Sequence, residues 1–317
     1  MSAPLILVAF AAIASLVGGR LLLRVSWVHT APHWGIWAWQ ALSMAVAGAI
    51  VLVPVTLAIP LLPISSSAAQ FLQTTSFHLI EHYSTPAGGW LALASLATAL
   101  GLLARIVWLA SSNLHRAAHA RRAQIDALTL VGQDHPAGFV LVEHGTPFVY
   151  CLPGRQRRVV VTSRALELLT MRELAVVLAH ERTHLRVRHD LALALSEALA
   201  RTFVRIPLFR RAHDEITALI EMQADDAAQA AGDRTALARA LVALSLEGAR
   251  RPAHAATHPV SLARIRRLTT SPHRPMHLPQ AACIAMATAV LFSAPLGLAL
   301  APAVEAATQH CCTPTRR

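Results

Sequence analysis

The residues best placed to do chemistry are His180, Glu181 and His184, in the run His180-Glu181-Arg182-Thr183-His184. On a helix, residues four apart lie on one face, one turn above the other. Two imidazoles so placed can grip a single ion. Zinc accepts two neutral histidines and one carboxylate, leaving a fourth position open for water. A glutamate beside the first ligand can lean over that open side and take a proton. The chain holds 17 histidines among 317 residues, which raises the rate of accidental matches. The surrounding elements must therefore carry part of the argument.

A third ligand has to come from a second element. Glu221 and Asp225 lie four apart in the stretch from Ile216 to Ala228 and would share a helical face. Two acids on a helix ordinarily mark a solvated face. Here Leu219, Ile220 and a run of alanines surround them, which favours a half-buried segment. Glu221 would then bind zinc, and Asp225 would accept the N–H of a ligand histidine, fixing its tautomer and aim.

Local signals place these residues on helices for reasons independent of a metal. Thr170 and Glu173 have the spacing of a capping box and start a helix two turns before His180. Leu174, Val177, Leu178 and Leu185 give that helix an apolar stripe. Upstream, a basic helix is expected from about Leu114 to Leu128. Strand-like runs follow at Phe139–Val142, Pro147–Cys151 and Val159–Val161, punctuated by Gly145 and Pro153-Gly154. Downstream, a helix begins at Asp190, Pro207 interrupts, and the helix of Glu221 runs to about Ala231. Gly232 stops it, and Asp233 caps the next, from Thr235 to about Arg250.

At 55% apolar residues the chain is too hydrophobic for an ordinary soluble enzyme. Four apolar segments account for this: Pro4 to Gly19, extended past Arg20 by three leucines; Gly35 to Pro60; Gly89 to Ala110; and Ala281 to Ala303. All six tryptophans fall near the expected membrane boundaries. The reading is a mainly α, multi-pass membrane protein with four transmembrane helices. Residues 1–110 form a three-span region, 111–279 a hydrophilic domain, and 280–317 the fourth span with a short extracytoplasmic tail. Every one of the 28 basic side chains is arginine, and the net charge is +11. The loop from 61 to 88 has no arginine and holds Glu81 between His78 and His82. By the positive-inside rule that loop is outside and the hydrophilic domain faces the cytoplasm. His78 and His82 could bind a metal weakly or serve as ordinary polar residues.

Several function classes are disfavoured. The arginines are spread over helices without a nucleic-acid motif, so direct nucleic-acid binding is not expected. A transporter would carry ionisable residues in its spans. An intramembrane protease would have to bury Arg172, Glu173, Arg182, Arg186 and Arg188 in lipid. The four cysteines form no disulfide or metal framework, and the state of neighbouring Cys311 and Cys312 is open.

H-E-x-x-H followed by Glu221-x-x-x-Asp225 resembles the gluzincin metallopeptidases. A third stretch, Thr257-His258-Pro259-Val260-Ser261-Leu262-Ala263-Arg264-Ile265, resembles a segment shared by membrane peptidases of the HtpX/Ste24 and BlaR/MecR types. Read by themselves, His258 is a turn residue and Arg264 a surface charge. The resemblance implies that both stabilise the oxyanion, a role a cation and an imidazole donor can fill. It also implies a helical zinc peptidase domain with a small β-sheet, whose edge strand could pair with a peptide. The placement of this domain between the third and fourth apolar segments looks most like the BlaR/MecR antirepressor family. Its implied partner is a protein substrate, a winged-helix repressor of the BlaI/MecI type, alongside the lipid bilayer. Those receptors carry a penicillin-binding domain after the last span. Here a short tail follows, so direct covalent sensing of a β-lactam is not expected. The alternatives are an HtpX-like quality-control peptidase and a non-catalytic membrane transducer that holds zinc.

Overall fold

The computed structural model describes residues 2–59, 88–153, 157–231, 234–249, 264, 267–268 and 277–310. It is mostly helical with one four-stranded sheet. The 61–88 loop up to residue 87, Gly232 and Asp233, His258, and Cys311 and Cys312 lie outside the described residues.

Among the described residues, four helices are long and apolar enough to cross a membrane: Ala3–Arg24, Pro32–Ala58, Gly89–Val131 and Leu278–Val304. The first is built from α1 (Ser2–Ile13), a π-helical turn (Ala14–Gly18) and α2 (Gly19–Arg24). A short α3 (Trp27–Thr30) leads into α4 (Pro32–Ala58), which contains Pro54. The next helix, α5 (Gly88–Val131), is 44 residues long. It runs through the boundary expected at 110/111, so the third apolar segment and the basic helix after it are one rod. The helix continues through Ser111 and Ser112, whose hydroxyls donate back to the carbonyls of Trp108 and Leu109.

The sheet contains β1 (Gly132–His135), β2 (Phe139–Val142), β3 (Val149–Leu152) and β4 (Arg158–Thr162), in the order β1-β2-β4-β3. β2 and β4 pair in parallel at the centre, with β1 and β3 antiparallel at the edges. Gly138 turns the β1–β2 hairpin at φ +79°, and Arg182 of the motif helix donates to Ala137 O in that turn at 2.8 Å. After the short α6 (Ser163–Leu168) come α7 (Met171–Val187), α8 (His189–Thr202), α9 (Pro207–Ala231), α10 (Arg234–Ala249) and the last apolar helix α11 (Leu278–His310).

Two of the apolar cores position the elements around the motif helix. In the first, Leu174, Val176, Val177, Leu178 and Leu185 of α7 pack with Phe139, Val159 and Val161 of the sheet and Leu237 of α10. The second joins α4 to α8 and α9. Trp39, Leu42 and Val46 of α4 pack against Leu199 and Phe203 at α8, and against Phe209, Ile216, Leu219 and Ile220 of α9. Trp39 is fully buried there, whereas Trp90 and Trp108 are exposed. Its position near a helix start suggested an interface residue, but its ring fills the joint between α4 and α9. This packing joins α9 to α4.

Candidate metal centre

The motif helix begins as its sequence directs. Thr170 Oγ1 accepts from the Glu173 N–H at 3.3 Å, and Glu173 Oε2 accepts from the Thr170 N–H at 2.9 Å. Both donors of the capping box are thereby satisfied. Two turns on, His180 and His184 face the second of the two site helices, α9, from which Glu221 and Asp225 project. The expected apolar stripe of α7 is buried behind them.

Three side chains converge. His180 Nε2 and His184 Nε2 are 3.1 Å apart. Glu221 Oε2 is 3.6 Å from His180 Nε2, and Oε1 is 3.7 Å from His184 Nε2. One ligand atom from each of the three lies within 4.8 Å of the others. Ligand atoms about 2.0–2.1 Å from a tetrahedral zinc ion are separated from one another by about 3.3 Å. The observed spacings straddle that value.

The outer nitrogens explain why this cluster suits a cation. His180 Nδ1 lies 3.0 Å from Asp225 Oδ1, in a bent approach short of a well-aligned hydrogen bond. His184 Nδ1 lies 3.0 Å from His189 Nδ1. With both Nδ1–H groups turned outward, the two Nε2 atoms aim lone pairs at each other across 3.1 Å. Such lone pairs repel unless a cation or a proton lies between them. Burial opposes a charge on His180, but Asp225 and Glu221 outweigh it and push its pKa up to about 9. Burial likewise opposes ionisation of Glu221, but His180 and then Arg264 hold it down at about 2. A proton on His180 and a metal ion are thus competitors for one negative pocket. The donor set, two imidazoles and one carboxylate, fits zinc.

Glu181 sits beside this cluster, next to the edge strand β3. Its carboxylate interacts with the backbone and the thiol of Cys151. Burial raises the Glu181 pKa, which makes its carboxylate a better proton acceptor. Burial, followed by the Glu181 charge, pushes the Cys151 thiol well above its ordinary value and keeps it protonated.

Arg264 is not at the surface. It is 4% exposed, with Nε and Nη2 donating to Asp225 at 2.9 and 2.7 Å and Nη1 donating to Glu221 at 2.8 Å. One guanidinium therefore binds the candidate ligand Glu221 and the partner of His180 together. Next to it, Arg267 pairs with Asp226 at 2.7 and 2.8 Å and donates to His29 O at 3.2 Å, tying α9 to α3.

Two residues of this centre had no role in the sequence reading. His189 is 3% exposed at the first position of α8, and its Nε2 is 3.1 Å from Gln223 Oε1 on α9. Burial lowers the His189 pKa and keeps the ring neutral. Its position depends on Arg188, whose left-handed backbone (φ 58°, ψ 50°) ends α7 and starts α8. Arginine carries no signal for that conformation, which usually calls for glycine. A histidine in the first turn of the helix after the motif was the available clue.

Residues 114–218 match the family model of Peptidase family M48. A domain of this family is therefore present in the chain. The matched stretch includes His180, Glu181, His184 and His189 and ends before Glu221, Gln223, Asp225 and Arg264. No curated protein and no solved structure matches the chain.

Proposed function

We propose that this chain is a zinc endopeptidase anchored in the cytoplasmic membrane, with its active site facing the cytoplasm. The observation that carries the reading is the convergence of His180, His184 and Glu221, with buried Glu181 alongside, within and next to an M48 domain. M48 peptidases are zinc-dependent. When bound, zinc supplies Lewis acidity and lowers the pKa of coordinated water towards neutrality.

The protein's own groups do the rest. His180, His184 and Glu221 would hold the ion. Glu181, beside Cys151, takes the proton of the attacking water and returns it to the leaving amine. Asp225 orients His180. Arg264 holds Glu221 and Asp225 in place, and its charge beside the centre helps offset the developing oxyanion. His258, outside the described residues, completes the oxyanion donors in this scheme. The β3 edge, next to Glu181, offers backbone groups to an extended peptide.

Within this reading we favour regulated proteolysis of the BlaR/MecR kind, with a winged-helix repressor of the BlaI/MecI type as substrate in an antibiotic or cell-envelope response. The shared core of α4 and α9 supports it, because a shift of α4 would bear on the helix that carries Glu221. Quality control of membrane proteins, in the HtpX manner, uses the same catalytic parts.

The test compares new protein N-termini in cells expressing wild type or Glu181→Gln, with zinc measured in both purified proteins. The expected result is retained zinc in the variant, with a few cuts in a DNA-binding repressor found only with wild type. Many wild-type-only cuts in membrane proteins would move the assignment to quality control. Unchanged cleavage by Glu181→Gln would overturn the mechanism, and zinc without any cleavage difference would point to a non-catalytic transducer.

A further inference from the structure

We propose that His189 and Gln223 form a neutral relay that fixes the tautomer and aim of His184, and so act as positioning residues for the metal. The inference rests on the reading of His180, His184 and Glu221 as ligands. It concerns residues five positions after the motif and on the opposite helix, neither of which touches the ion position.

The argument follows the protons. Gln223 Oε1, an acceptor only, lies 3.1 Å from His189 Nε2, which must therefore carry the hydrogen. A neutral imidazole has one N–H, so His189 Nδ1 is left with a lone pair. That lone pair lies 3.0 Å from His184 Nδ1, which must donate to it. His184 Nε2 then has no hydrogen and presents its lone pair towards His180 Nε2 and Glu221 Oε1. One amide oxygen, two residues along from Glu221, thus decides which nitrogen of His184 is available to a metal. The reverse orientation of the Gln223 amide would turn every hydrogen bond in the chain around and cap His184 Nε2 with a proton.

The local structure is built to hold this arrangement. His189 is buried, and the rings of His184 and His189 meet edge to face, with centroids 4.9 Å apart. Residues five apart on an unbroken helix would not meet in this way. The left-handed turn at Arg188, a conformation that residues with a side chain rarely adopt, brings His189 back under His184. Such a turn at a non-glycine residue persists where the surrounding contacts determine it.

Zinc affinity is measured by chelator competition on the full chain in lipid nanodiscs. The proteins are wild type, Gln223→Leu, Gln223→Glu and His189→Ala. Gln223→Leu removes the acceptor and is expected to weaken zinc binding by about 10–100-fold, as loss of an outer partner of a metal-bound histidine typically does. His189→Ala should fall by a similar factor. Gln223→Glu keeps an acceptor-only oxygen at the same place and should bind at least as tightly as wild type. In the cobalt-substituted wild type, proton NMR should show two shifted, solvent-exchangeable imidazole N–H signals, and Gln223→Leu should alter one of them. Equal affinity and equal spectra for wild type and Gln223→Leu would overturn the relay. A Gln223→Glu variant as weak as Gln223→Leu would also overturn it, because the acceptor would not be what matters. A wild-type protein that takes up no zinc would remove the metal reading itself and the relay with it.

Discussion

Behind His180 stand charges. Its outer nitrogen faces Asp225, and Asp225 is gripped by Arg264, which also reaches Glu221. Behind His184 stand neutral groups, His189 and then Gln223. The two rings sit one turn apart on the same helix and point at the same place, yet their supports differ in kind. A buried ionic cluster is firm when complete and expensive when one member is lost. A neutral relay costs less to break but can be reversed by turning one amide. The ionic support sets where α9 and its carboxylates lie, whereas the neutral one sets only a ring's orientation. Both supports depend on α9, which supplies Glu221, Gln223 and Asp225 and is itself packed on α4.

The largest effect should come from removing the arginine of the ionic side. Arg264→Met leaves Asp225 and Glu221, 1% and 9% exposed as residues, without the guanidinium that bridges them. The expected loss is about 3–5 kcal/mol of stability, the usual cost of breaking a buried pair. Zinc binding should fall with it. Chemical denaturation of the purified protein reads the first and chelator competition the second. Wild-type stability in Arg264→Met would mean that the cluster is not the support described here.

A gentler change separates orientation from charge. Asp225→Asn keeps the size of the side chain but weakens its pull on His180 Nδ1 and on Arg264. Zinc affinity should drop by about 10–100-fold, with a smaller stability loss than Arg264→Met. If Asp225→Asn and Gln223→Leu lower zinc affinity alike while only Asp225→Asn lowers stability, the contrast between the two arms stands. Equal stability losses would erase it.

How much of this could be read from the chain varies with the physics of each part. The motif helix was legible because a capping box and an apolar stripe are local, periodic signals, and both are present as expected. Glu221 and Asp225 were legible because four-residue spacing puts them on one face. The strands β2, β3 and β4 have β-branched and aromatic runs, while β1, Gly132-Gln133-Asp134-His135, has none and was missed. It exists because the β1–β2 turn and the pairing with β2 require it. Arg264 could not be placed by itself, since nothing local distinguishes a solvated arginine from one that closes a buried cluster 39 residues from Asp225. Gln223 lies two residues from Glu221, on a different side of α9 by helical geometry, so face arguments pass over it. Trp39 was misread because a tryptophan near a helix start suits both an interface and a core.

The smallest predicted effect lies at the start of α7, nearly three turns before His180, and bears on neither arm directly. Thr170→Ala removes the side-chain cap of α7 and should cost about 1 kcal/mol, with zinc affinity unchanged. The same box carries a pH dependence. The Thr170 backbone N–H, first among several groups, holds the Glu173 carboxyl below its ordinary value. A carboxylate depressed by folding stabilises fully above its unfolded range and loses that contribution as pH falls through the depressed value. The part of the acid-side loss due to Glu173 should therefore vanish in Glu173→Gln, as read by denaturation midpoints from pH 6 downwards. A cap that matters only for where α7 starts should leave both imidazoles aimed as before. If Thr170→Ala weakened zinc as much as Gln223→Leu does, the start of the helix, and not the groups behind each ring, would be setting the aim of the site.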